Sequence, residues 1–121
     1  MGVNKGIQVS GGQITAGVIA VGDRAIAIAD RTRIELAGGP LEEIGEKLAE
    51  LTHELQRNAA ALDDADDLLE STTRIADELG KEKPSKTTIR GILGAIADGA
   101  KSVTSVVLAT GALEHAVMAL L

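Results

Sequence analysis

The sequence predicts an α+β protein that is mainly α: an N-terminal, glycine-rich β arm followed by a small antiparallel bundle of about four helices. Eight of the 14 glycines lie in the first 39 residues. The middle of the chain carries leucines at heptad spacing, and the end is rich in alanine and glycine. These shifts divide the chain into a β-forming segment (1–37), an acidic helical hairpin (40–83) and an apolar helical hairpin (84–121).

The first segment has the two-residue periodicity of β-strands. Alternating apolar pairs recur along it, and glycines separate them. The pairs are Ile7 and Val9, Ile19 and Val21, Ile26 and Ile28, and Ile34 and Leu36. A helix is the alternative because alanine is abundant here. Strands are favoured, since each interior glycine costs a helix about 1 kcal/mol.

The second segment has the pattern of an amphipathic helical hairpin. Gly38-Gly39-Pro40 predicts a turn with proline at the first helical position. A heptad seam follows at Leu41, Ile44, Leu48, Leu51, Leu55 and Leu62. Four aspartates between positions 63 and 67 interrupt the seam and are typical of a helix start. We expect helices over roughly 40–61 and 65–79, with Gly80 as the end of the second, and one continuous helix as the alternative.

The third segment begins after Lys81-Glu82-Lys83-Pro84, a stretch that cannot continue a helix cleanly. Ser85 is a candidate N-cap for a helix whose apolar positions are Ile89, Ile92, Leu93, Ile96 and Ala100. Ser102 or Thr104 is a candidate cap for a last helix with one stripe of Val106, Ala109, Leu113, Val117 and Leu120. Glycine and alanine give both helices narrow faces that favour close packing.

Composition excludes several kinds of chemistry. The chain has no cysteine and no aromatic residue, which excludes disulfides, thiol nucleophiles and aromatic stacking platforms. Arg57 stands where a zinc motif starting at His53 needs its second histidine. No serine lies in a nucleophile elbow. We therefore expect no enzyme activity, no cofactor and no metal.

The charge distribution argues against nucleic acid as a partner. The net charge is −6, and it comes from residues 40–83, which hold five basic and thirteen acidic side chains. The basic residues are scattered, whereas phosphate binding needs them clustered. Residues 102–121 form a mostly apolar stretch of about one bilayer thickness. Glu114 and His115 interrupt it, so membrane contact is possible but not favoured. The N-terminus lacks the pattern of a signal peptide, which predicts a cytoplasmic protein.

Self-assembly is the function that the first segment predicts. Its strands are apolar on both faces, low in charge and free of proline, which is the profile of strands that pair between chains. We expect homo-oligomers through residues 7–36. The expected intersubunit contacts are Ile7, Val9, Ile14, Val18, Ile19, Val21, Ile26 and Ile28. The expected turn glycines are Gly11, Gly12, Gly17 and Gly22.

Two short sequences within this segment carry a family resemblance. Ile7-Gln8-Val9-Ser10-Gly11 and Ile19-Ala20-Val21-Gly22-Asp23 resemble the core of the RIP homotypic interaction motif, which stacks into amyloid. Similar motifs occur in bacterial amyloid-signalling proteins of immune and anti-phage systems, joined to small helical domains. The resemblance implies a partner that is the chain itself or another protein with such a motif. Since Ser10 precedes the first glycine and Ala20 replaces glutamine, a closed β-ring stays an alternative to stacking.

These observations together predict a non-enzymatic, self-assembling scaffold or effector in bacterial immune signalling. Two alternatives remain from the sequence. In one, the C-terminal helices of a cell-death effector insert into a membrane once the arms assemble. In the other, the protein is a monomeric helical adaptor with the arm folded against its own bundle.

Overall fold

A computed structural model of the protein describes residues 20–121, and it is helical throughout this range. Five α-helices follow one another along the chain. They are α1 (Val21–Leu36), α2 (Glu42–Arg57), α3 (Ala65–Leu79), α4 (Lys86–Gly99) and α5 (Thr104–Leu120), with a short 3-10 turn at Ala59–Ala61. Between residues 20 and 121 there is no β-strand.

The predicted α+β fold is therefore wrong for the described part of the chain. The strands expected at Ile26–Ile28 and Ile34–Leu36 are turns of α1. The physical reason is a second pattern in the same residues. Gly22, Ala25, Ala29 and Thr32 recur at helical spacing and form the buried face of α1. Because these side chains are small, α1 packs closely on α2 and α3. The strands predicted before residue 20 lie outside the described residues.

Two helices, rather than one continuous helix, occupy the acidic segment. Helix α2 ends at Arg57, where the side-chain amide of Asn58 donates a hydrogen bond to the Glu54 carbonyl oxygen (2.8 Å). Helix α3 begins at Ala65. Asp64 occupies its N-cap position without a side-chain capping bond, and Asp66 and Asp67 lie in its first turn. Acidic side chains in a first turn favour the helix through its dipole.

The core is aliphatic, and α2 lies at its centre, packed against α1, α3 and α5. The heptad positions Ile44, Leu48, Leu51 and Leu55 are fully buried. The other helices contribute branched side chains that are equally buried, among them Ile75, Ile89, Leu93, Ile96, Val106, Leu113 and Val117. Burial of these side chains is the main source of stability in a chain without disulfides.

The connection between α3 and α4 is organised by one carboxylate. Glu78 accepts a hydrogen bond from the Ser85 backbone amide (2.8 Å) and another from the Lys81 ammonium (3.0 Å). These two bonds hold the pKa of the Glu78 carboxyl below its ordinary value. The Ser85 hydroxyl in turn accepts from the Thr88 amide and caps α4. The N-terminus of α4 is thus fixed to the C-terminus of α3.

Candidate protein-interaction surface

Helix α5 is mostly apolar, on its solvent side as well as on its buried side, which is unusual for a helix at the surface of a small bundle. Its only ionisable side chains are Glu114 and His115. One side is buried against α2 and α4 and comprises Val106, Thr110, Leu113, Ala116 and Val117. The Thr110 hydroxyl donates to the Val106 carbonyl oxygen (2.7 Å), so this buried polar group is satisfied within the helix.

The opposite side of α5 faces solvent and is apolar as well. We call it the outer face of α5, and it consists of Leu108, Gly111, Ala112, His115, Met118 and Ala119. Leu108 is 68% exposed and Met118 is 47% exposed. Among the described residues, three of the four exposed large hydrophobic side chains belong to this helix: these two and Leu120. The fourth is Ile34 on α1. A concentration of exposed apolar side chains is typical of an interaction site.

The middle of the outer face is flat because its residues are small. Apart from its chain neighbours and its own helix backbone, a Cβ atom added to Gly111 would meet no atom within 4 Å, and the same holds for Gly91 and Gly94 on α4. Neither steric contact nor packing within the bundle accounts for these glycines. Small residues allow the backbone of a second helix to approach closely, so the outer face has a low centre flanked by Leu108 and Met118.

Charged groups lie at the edge of this surface. The Arg90 guanidinium of α4 lies 3.8 Å from the Glu114 carboxylate of α5, and both side chains are about half exposed. Residues 84–121 hold three basic and two acidic side chains, whereas residues 40–83 hold five and thirteen. The α4–α5 side is therefore a part of the described chain on which a second negatively charged protein meets little repulsion, as is α1, which holds three basic and three acidic side chains.

The residues predicted from the sequence as assembly contacts fall in two groups. Ile7, Val9, Ile14, Val18 and Ile19, with the glycines at 11, 12 and 17, lie outside the described residues. Val21, Ile26 and Ile28 lie on α1, where each is partly buried. Val21 and Ile28 pack against the core of their own bundle, and Gly22 is buried beside the Gln56 side chain. In this helix they occupy no sheet edge.

The polar grooves of the bundle offer no comparable site. Between α1 and α2, the His53 Nε2 atom lies 3.3 Å from the Asp30 carboxylate, and Arg57 pairs with Glu54. The described residues contain no cluster of three potential ligands that could hold a metal ion. Such acidic side chains exposed to water are what a solvated helix face contains.

No helix in the described range is both long enough and apolar enough to cross a bilayer. Comparisons of the chain with protein-family models, with curated proteins and with solved structures found no match.

The outer face of α5 was not among the sites that the sequence predicted. A signal for it was present: the helix contains only two ionisable residues, and both lie in its C-terminal half. Its sequence therefore marks no polar side for solvent, and in this bundle only one side of it is covered.

Proposed function

We propose that the protein is a non-enzymatic, self-assembling protein that forms homo-oligomers and acts as a cytoplasmic scaffold or effector in bacterial immune signalling. The observation that carries self-assembly is the apolar, exposed outer face of α5. The signalling role is supported by the resemblance of residues 7–11 to the RIP homotypic interaction motif. Because α1 is helical, the mechanism proposed for the described residues is contact between helices.

The charge distribution permits a second copy of the chain as the partner, provided that the two copies meet through α5. An acidic partner is repelled by residues 40–83, and so is a second copy that approaches from that side. The outer face of α5 has no acidic side chain, and one positive and one negative group lie at its edge. Two such faces can therefore meet without placing like charges together, and apolar area on both of them leaves water.

Sedimentation velocity of the full-length protein over a range of concentrations tests this proposal. We expect species heavier than the 12.4 kDa monomer, with a proportion that rises with concentration. Replacing Leu108 with aspartate should shift the distribution to the monomer, because a charge would then be buried in the contact.

Ile34 provides a matched control for this substitution. It is 65% exposed, nearly the same as Leu108, but it lies on α1. Ile34→Asp should leave the assembly unchanged, and circular dichroism should show the same helix content in both variants. A single monomeric species at every concentration would refute self-assembly and support the monomeric adaptor.

A further inference from the structure

We infer that two copies pair through an isologous, antiparallel contact between their α5 helices, which cross at Gly111 and Ala112. This inference rests on the proposed self-assembly and specifies the surface and the geometry of the contact. In an isologous contact the same patch is used by both copies, so it must be complementary to itself. The outer face of α5 meets this condition in its shape and in its charge.

Two identical helices can pair in a parallel or in an antiparallel orientation, and the shape of the outer face favours the second. In a parallel pair each residue faces its own copy, so Leu108 would meet Leu108 while a gap remained between the two glycines at 111. In an antiparallel pair centred between Gly111 and Ala112, Leu108 faces His115 of the other copy. Met118 then lies at the level of the small residues Thr104 and Ser105 of the other copy. Neither Leu108 nor Met118 meets its own copy in this arrangement, and the small central residues permit close approach.

The charged groups at the edge of the contact also favour the antiparallel orientation. Glu114 lies on the α4 side of α5, since its carboxylate contacts Arg90. A two-fold rotation that pairs α5 antiparallel brings the α4 sides of both copies to the same edge. Two arginines and two glutamates then lie together with a net charge of zero, and Arg90 of one copy can pair with Glu114 of the other. A parallel pair would separate the two ion pairs to opposite edges.

The expected affinity is modest. A helix of 17 residues is about 25 Å long, and one pair of such helices belongs at the low end of specific interfaces. The contact should therefore form at high protein concentration or when a second contact adds to it.

Disulfide trapping tests the geometry in the full-length protein, because the native chain has no cysteine. We expect Gly111→Cys and Ala112→Cys each to give a covalent dimer under mild oxidation. Thr104→Cys should not link to itself, because in an antiparallel pair its copy lies about 22 Å away along the helix, beyond the reach of a disulfide. Mixing Thr104→Cys with Ala119→Cys should give a dimer that neither gives alone.

Ala27→Cys, exposed on α1, is the control for random collision and should give little dimer. Efficient self-linking of Thr104→Cys would overturn the antiparallel arrangement in favour of a parallel one. Oligomers in sedimentation without dimer at positions 111 and 112 would overturn this inference and leave the proposed self-assembly in place. A protein that stays monomeric and gives no trapped dimer would refute both the α5 pairing and the proposed self-assembly. The same conclusion would hold if a thiol reagent failed to label the cysteine at 111 because the same chain covers it.

Discussion

At Gly45 the backbone of α2 lies close to the backbone of α1. A Cβ atom added there would lie 3.1 Å from the Cα atom of Arg33 and 3.3 Å from a methyl carbon of Leu36. Since a backbone atom cannot move aside as a side-chain end can, Gly45→Ala should push the two helices apart. We expect a loss of about 1–3 kcal/mol in the free energy of unfolding, measured by urea denaturation.

Gly91 is the matched control, because it is also inside a helix but a Cβ atom there would meet nothing within 4 Å apart from its chain neighbours and its own helix backbone. Gly91→Ala should stabilise the protein by about 0.5–1 kcal/mol, since alanine loses less backbone entropy on folding. Equal stabilisation by both substitutions would show that the contact between α1 and α2 at Gly45 is looser than the structure indicates.

Glu78 makes the stability depend on pH. Its pKa is lower in the folded protein than in the unfolded chain, chiefly because its carboxylate accepts the hydrogen bond of the Ser85 amide. The contribution of Glu78 to the free energy of unfolding is therefore complete above the pKa of a glutamate in the unfolded chain. It is lost as the pH falls through the lower pKa of the folded protein. We expect Glu78→Gln to flatten this part of a curve of unfolding free energy against pH, measured by urea denaturation.

Glu70, exposed on the same helix, supplies the comparison for this measurement. Glu70→Gln should leave the acid limb of the curve as it is in the native protein. If both variants follow the same curve, the interactions of Glu78 with the loop between α3 and α4 do not contribute to stability.

The N-cap of α4 could be predicted from the sequence, because it depends on only a few neighbouring residues. Ser85 was predicted as the cap, and its hydroxyl accepts the Thr88 amide at 3.2 Å. Ser85→Ala should lower the free energy of unfolding by about 1 kcal/mol, because an amide in the first turn loses its partner. Ser102→Ala, an exposed site just before α5, should have a much smaller effect in the same assay.

The boundaries of α3 could be predicted in the same way, since the aspartates at its start and Gly80 at its end favour helix termini through local interactions. The start of α5 was not. Neither Ser102 nor Thr104 is its cap, because Val103 occupies that position without a side-chain hydrogen bond. In α5 apolar residues lie on the solvent side as well as on the buried side, so contact with α2 and α4 decides which half is buried. The candidate interaction surface therefore depended on the fold and could not be obtained from periodicity alone.

The sequence of α1 contains two periodicities of apolar residues, one typical of a strand and one typical of a helix. The isoleucines at positions 26 and 28 alternate as in a strand, but Ala25 and Ala29, both 2% exposed, are the residues that face the core. Ala29→Leu should therefore overpack the contacts of α1 and cost about 1–3 kcal/mol of unfolding free energy. Ala27→Leu is the same change on the exposed side of this helix and should be nearly neutral. A similar cost for both, measured by thermal unfolding, would contradict this packing.

In the described part of the chain as a whole, acidic charge and exposed apolar surface are separated. The acidic residues of the segment 40–83 give the protein its net charge of −6, while the exposed apolar side chains concentrate on α5. Among the described residues, repulsion between copies thus comes mainly from the acidic segment, and exposed large apolar side chains are most frequent on α5. This separation favours contact through α5 over contact through the acidic side.

The dependence of assembly on salt follows from this separation. Raising the ionic strength from about 0.1 M to about 1 M shortens the Debye length from about 10 Å to about 3 Å. If copies meet through the outer face of α5, salt screens the repulsion between their acidic segments. The exposed Arg90–Glu114 pairs at the edge lose less than this repulsion does, so the weight-average mass in sedimentation equilibrium should rise. Leu108→Asp should remain monomeric at both salt concentrations, which controls for unspecific salting-out. A mass that falls with salt would instead indicate an ionic, head-to-tail contact between the basic residues of one copy and the acidic segment of the next.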